Sequence, residues 1–163
     1  MKIVSILILV FTLLFTTLLH AENFYLGTDL SHMKLDQIEF DSVNVNNILI
    51  GYKFESWSIE GSYNISKTQN KYYGGDQKID MYRMLSVYRS KEKFYYKVKL
   101  GISNERYKLY NNTETLFLNH THIGLERGIG VGYRHGKFNV ELEYSWLGGS
   151  LEVFGVGIRY HFN

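Results

Sequence analysis

The stretch Phe138-Asn139-Val140-Glu141-Leu142-Glu143-Tyr144-Ser145-Trp146 decides how the chain folds. Every second residue is aromatic or aliphatic, and the residues between are Asn, Glu, Glu and Ser. A period of two belongs to a β-strand with unlike faces. Glu141 and Glu143 fall on one face, opposite Val140, Leu142 and Tyr144. A helix would scatter both sets around its axis. The same alternation recurs along the chain and predicts eight strands, over 23–31, 45–54, 57–66, 79–89, 94–107, about 118–134, 138–146 and 151–162. Glu55-Ser56, 90–93 and 135–137 read as tight turns. Residues 32–44, 67–78 and 108–117 read as long polar loops, and Gly148-Gly149-Ser150 as a short last connection. Tight turns at one end and longer loops at the other predict an all-β, antiparallel, up-and-down barrel of eight strands.

Such a barrel has two possible orientations of its faces. A soluble ligand-binding barrel turns its apolar side inward; a membrane barrel turns it to lipid. Here one face is built from Leu, Ile, Val, Phe, Tyr and Trp. The other carries Gly and Ser with charges of both signs: Asp29, Lys53, Glu60, Lys97, Lys99, Glu105, Arg134, Glu141, Glu143 and Arg159. Eight strands leave an interior just wide enough for side chains. A lone charge there is very costly, but a near-balanced, hydrogen-bonded set is tolerable. The aromatics select the membrane orientation. Tyr52, Phe54 and Trp57, then Tyr88, Phe94 and Tyr96, then Tyr133 and Phe138 flank the three tight turns. Phe24, Tyr160 and Phe162 fall at the same level. A ring of amphipathic side chains at one height belongs at a membrane interface.

Two strands resist this reading. In the fourth, Tyr82, Met84 and Tyr88 facing lipid sends Arg83 and Arg89 inward. The opposite choice puts Arg83 in hydrocarbon, at a cost of about 2–4 kcal/mol at the midplane. Arg83 is therefore expected in the lumen, with Ser86 outward. In the sixth, Glu126 and Arg127 are adjacent, so strict alternation exposes one of them. A bulge near 125–128, or an Arg127 lying higher than its neighbours, would resolve the conflict.

Composition narrows the function. The 163 residues hold 18 Lys and Arg against 16 Asp and Glu, which gives no electrostatic footprint for nucleic acid. There is no cysteine, hence no disulfide scaffold, thiolate metal site or cysteine nucleophile. There is no proline, and aromatics reach 16%, both suited to long strands. Met1-Lys2, the uncharged run 3–19 and Ala21 read as a signal peptide spanning 1–21, leaving 22–163 as one barrel domain.

The C-terminal residues Gly155-Val156-Gly157-Ile158-Arg159-Tyr160-His161-Phe162 resemble the assembly signal of outer-membrane barrels, with Gly157, Tyr160 and Phe162 as its marks and Asn163 as one extra residue. Gly130–Trp146 and Tyr96-Lys97-Val98-Lys99-Leu100-Gly101 are similar to the transmembrane-domain family of outer-membrane protein A. The resemblance implies an eight-stranded barrel in a Gram-negative outer membrane. It implies insertion by the barrel-assembly machinery, contact with membrane lipid and lipopolysaccharide, and lumen ion pairs that include Glu60, Lys97, Lys99, Glu141 and Glu143. The peptidoglycan-binding domain of longer family members is not expected here.

Catalysis needs a nucleophile, a base and an orienting acid at one spot. His120-Thr121-His122-Ile123 does not match the His-x-Ser-Asn segment expected of a lipid A deacylase, and two imidazoles without a third ligand make a weak metal site. Gly128-x-Gly-x-Gly132 precedes no helix and is no dinucleotide fingerprint. The expected function is a non-enzymatic barrel without cofactor or metal, structural or surface-exposed, with loops open to adhesion, antigen variation or an extracellular ligand. The alternatives are a small pore, a lipid-modifying enzyme or a secreted ligand-binding barrel.

Overall fold

A computed structural model describes residues 23–35, 42–69, 75–110, 116–148 and 151–162. The expected signal peptide and Asn163 lie outside them. Eight strands follow in chain order: β1 Phe24–Leu35, β2 Val43–Phe54, β3 Trp57–Gln69, β4 Asp76–Arg89, β5 Phe94–Tyr110, β6 Leu116–His135, β7 Phe138–Leu147 and β8 Leu151–His161. Each pairs antiparallel with the next, and β8 pairs back on β1 to close the barrel. Closure removes every free edge at membrane depth, where an unpaired backbone group would cost several kcal/mol.

The register fixes the tilt. A line of register partners from Phe24 runs through Tyr52, Ile59, Ser86, Leu100, Arg127, Trp146 and Glu152, and returns to β1 at Lys34. It climbs ten residues along one strand in a single circuit. That stagger tilts the strands strongly against the barrel axis. It also carries each register partner higher than the last, so the top of β7 sits beside the middle of β6.

At the lower end, every strand or its last connection contributes an outward aromatic. Phe24 packs on Tyr52 and Tyr52 on Phe54, Trp57 on Tyr88 and Tyr88 on Tyr96, Phe94 on Tyr133, and Phe138 on Tyr160 and Tyr160 on Phe162. A second, partial set lies higher: Tyr63 stacks on Tyr82, and Tyr144 meets Trp146 edge-on. Between the two sets the outer wall is aliphatic. Ile48 is 72% exposed, whereas the lumen-facing Lys97 and Arg159 are each 1% exposed. An isolated soluble domain does not show its apolar side chains outward and seal its charges within.

Above the upper aromatics the pattern inverts, and this corrects the expected loops. Residues 32–35, 43–44, 67–69, 76–78, 108–110 and 116–117 are strand, not loop. On β4, Tyr82 and Met84 face outward with Arg83 inside; higher up, Lys78 and Asp80 face outward with Ile79 and Met81 inside. The same exchange sets Met33 against Lys34, Val43 and Val45 against Asn44 and Asn46, and Leu109 against Lys108. Outside the bilayer the outer wall meets water, so the barrel there obeys the rule of a soluble one. Met33, Val43, Val45, Ile79, Met81, Tyr107, Leu109, Leu147, Leu151 and Val153 form one buried apolar cluster that fills the upper lumen.

The sixth strand is also settled. Register through 125–128 is regular, and the β5–β6 pair is irregular only at Leu109/Tyr110. Glu126 is buried and Arg127 points out. Arg127 stands opposite Trp146, the last outward residue of β7, with its guanidinium 5.9 Å from the indole centroid. Of the two resolutions open in the sequence, the higher Arg127 is the one adopted.

Candidate functional site

The chemistry-bearing side chains of the described residues gather inside the barrel, below the apolar cluster. Alternation places Glu60 on β3, Arg83 and Arg89 on β4, Lys97 and Lys99 on β5, Glu126 on β6, Glu141 and Glu143 on β7, Arg159 on β8 and Asp29 on β1 in the lumen. They join into one connected set. Arg89 bridges Glu60 and Glu141, its Nε donating to Glu141 at 2.7 Å. Lys97 Nζ donates to both Glu141 and Glu143 at 2.7 Å, and Lys99 Nζ to both Glu143 and Glu126 at 2.7 Å. Arg83 reaches Glu126 at 3.3 Å and donates its Nε to Ser62 at 2.8 Å. Arg159 pairs with Asp29 at 2.6 Å and approaches Glu141 at 3.4 Å. Five cations thus meet five carboxylates across strands that are far apart in sequence. Such a set is held by its completeness: each charge is too costly to bury alone.

Arg89 is the hub, and two tyrosines frame it. Tyr25 donates its hydroxyl to Glu60 at 2.6 Å, and Tyr95 donates to Glu141 at 2.6 Å. Arg89 Nη1 donates in turn to the Tyr25 oxygen at 3.1 Å. Both rings need space on the next strand. A Cβ at Gly51 would run into the Tyr25 ring, and one at Gly132 into the Tyr95 ring. Gly51→Val is expected to cost about 1–3 kcal/mol by overpacking, read as a smaller share of heat-modifiable, folded protein after refolding.

The sequence placed Lys53, Arg134 and Glu105 with these pairs; among the described residues none of the three forms an ion pair. Glu105 accepts from the hydroxyls of Ser103 and Tyr107, each at 2.6 Å, and its register partners on the neighbouring strands are Met81 and His122 rather than a lysine or arginine. Lys53 and Arg134 lie below the network, where Glu60 and Glu141 are already engaged by Arg89, Lys97 and the tyrosines. Arg134 donates instead to the carbonyls of Lys91 and Glu92, at 2.9 and 3.4 Å. Gly157 faces the lumen beside the Asp29–Arg159 pair, while Tyr160 and Phe162 belong to the lower aromatic ring. His120 and His122 stand on β6 above the end of β7, exposed, with His122 over Gly148. Among the described residues no group of three His, Cys, Asp or Glu side chains could hold a metal ion.

A closed eight-stranded barrel, greasy outside and ionic within, has solved counterparts. Neisserial surface protein A superimposes with a TM-score of 0.67 at 18% identity, over 85% of this chain and 96% of that one. The fold is that of the small outer-membrane barrels. The N-terminal β-barrel domain of Pseudomonas aeruginosa OprF gives 0.61 at 12% identity, over 83% and 96% of the two chains. Ail, the attachment invasion locus protein of Yersinia pestis, gives 0.58 at 19% identity, over 85% and 96%. No family model and no curated protein matches the sequence.

Proposed function

We propose that the chain is a non-enzymatic barrel of the Gram-negative outer membrane, a rigid closed post that carries its long connections at the cell surface. The observation that carries this reading is the lumen, stopped twice. At membrane depth it is crossed by paired charges, and above them it is packed with apolar side chains. Among the described residues both storeys fill the lumen with packed side chains, so a pore is the weaker reading. Among the described residues no nucleophile stands beside a base and an acid on the outer wall, so lipid chemistry is weaker still. The outer wall suits acyl chains, and Arg127 at its upper margin suits the phosphates of lipopolysaccharide. Gly157, Tyr160 and Phe162 serve as the C-terminal signal taken by the barrel-assembly machinery. The connections 36–42, 70–75 and 111–115, which lie almost wholly outside the described residues, are the places for an extracellular ligand.

Two measurements test this. An epitope inserted within 111–115 is expected to bind antibody on intact cells. Purified protein in planar bilayers is expected to give no stepwise current. A fixed single-channel step from the wild-type protein would overturn the closed reading, and an epitope reached only after lysis would overturn the surface one.

A further inference from the structure

Beneath the ion network, at the end that carries the tight turns, the lumen widens into a cavity of about 270 Å³. Its wall includes Lys53 from β2, Glu55 and Ser56 from the β2–β3 turn, Trp57 from β3, Lys91 from the β4–β5 turn and Arg134 from β6. The cations are unbalanced. Above, five cations meet five carboxylates; here Lys53, Lys91 and Arg134 have no ion-paired carboxylate among the described residues. Arg89 closes the roof but is spent on Glu60 and Glu141. Glu55 is the one carboxylate of the wall that is not consumed above, and it is exposed on the turn.

Arg134 is positioned rather than loose. Its Nη1 donates to two carbonyls of the β4–β5 turn, and its guanidinium lies 5.1 Å from the Tyr95 ring centroid. A guanidinium fixed at one nitrogen and braced by a ring keeps its remaining donors in a set direction. Lys53 and Lys91 add ammonium donors that pair with no carboxylate among the described residues. Glu92 on the β4–β5 turn lies within electrostatic reach of Arg134 but is not part of the wall, so a half-enclosed pocket lined by three cations and one exposed acid keeps an excess of positive charge. A guanidinium fork beside ammonium groups fits a tetrahedral phosphoryl group with several equivalent oxygens.

We infer that this cavity is a binding site for a phosphate-class oxyanion, taken at the turn end of the barrel. The chemistry is shared by a free phosphate and by the headgroup of a phospholipid that reaches over the Trp57 rim. The site depends only on the barrel; that its ligand comes from the periplasmic side rests on the orientation proposed above.

The test uses the folded full-length barrel in a neutral, phosphate-free detergent. The chain has two tryptophans, Trp57 at the cavity and Trp146 at the opposite end, so Trp146→Phe leaves Trp57 as the sole reporter. Inorganic phosphate is titrated in one arm and a short-chain phosphatidylglycerol, below its micelle concentration, in the other, at constant ionic strength. A saturable change in Trp57 emission is expected in at least one arm. Binding in the lipid arm alone identifies a headgroup; binding in both identifies the phosphoryl group itself. Arg134→Gln and Lys53→Gln should each weaken binding about tenfold, the loss of one charge-assisted contact. Glu55→Asn should strengthen it, because the single acid of the wall goes and Asn tolerates the left-handed backbone at φ 54°. Arg134 also ties down a turn, so heat-modifiable migration checks each variant for folding. Lys53 has no such tie, and Lys53→Gln keeps the test decisive by itself. No saturable response in either arm, an equal response in Lys53→Gln, or equal binding of acetate would overturn the assignment.

Discussion

Arg89→Met is expected to destabilise the barrel by about 3–5 kcal/mol, the cost of breaking a buried ion pair from one side. The measurement is equilibrium urea unfolding from lipid vesicles. The reason lies in what the guanidinium leaves behind. Glu141 keeps Lys97 and Arg159, but Glu60 keeps only the Tyr25 hydroxyl as a donor among the described side chains. A carboxylate at 2% exposure that keeps only the more distant charges of Lys97 and Arg159, with no cation paired directly to it, is a poorly compensated charge that the lumen holds at high cost. Adding Glu60→Gln to Arg89→Met should therefore recover part of the loss, because it removes the stranded charge rather than restoring the pair. Arg89→Lys should fall between. An ammonium is a single point and cannot span two carboxylates as the fork does. A loss under about 1 kcal/mol for Arg89→Met would mean that the network is solvated and the lumen wet.

How far the sequence foretold this arrangement depends on the direction of the question. Which face a residue takes follows from its parity along a strand. Val140, Leu142 and Tyr144 against Glu141 and Glu143 could be read at once, and so could Arg83 from the cost of its alternative. Height is harder. Ile79 and Met81 have the same parity as Arg83, yet they are apolar, because the strand has left the bilayer and its outer wall meets water. The alternation continues there with its sign exchanged, and a reader who follows one sign sees the strand stop. That is why the strands are longer than their patterns. Partners across the lumen are hardest. Arg89 and Glu141 are 52 positions apart and meet only because β4 faces β7 through the tilted barrel. No local signal carries that. Tyr25 and Tyr95 look like girdle aromatics by type, and only parity, with Gly51 and Gly132 on the neighbouring strands, turns them inward.

The sign exchange predicts the largest contrast on the outer wall. Leu142→Arg should cost about 2–4 kcal/mol, whereas Ile123→Arg should cost about 1 kcal/mol or less, both read by the same unfolding assay. The two side chains look alike in isolation, apolar, outward and exposed. Their surroundings differ. Leu142 pairs with Val131 and Val156, between the two sets of aromatics. Ile123 lies on the part of β6 that has passed the end of β7, opposite Asn104 and next to the polar outer wall of β5. A guanidinium at the first place has only acyl chains around it; at the second it reaches water. Arg127 is the natural intermediate, at the level of Trp146, so Arg127→Leu should change stability by about 1 kcal/mol or less. Equal costs at 142 and 123 would show that depth does not set the penalty. A neutral Leu142→Arg would place the belt in water, and the lumen charges would then have no reason to be inside.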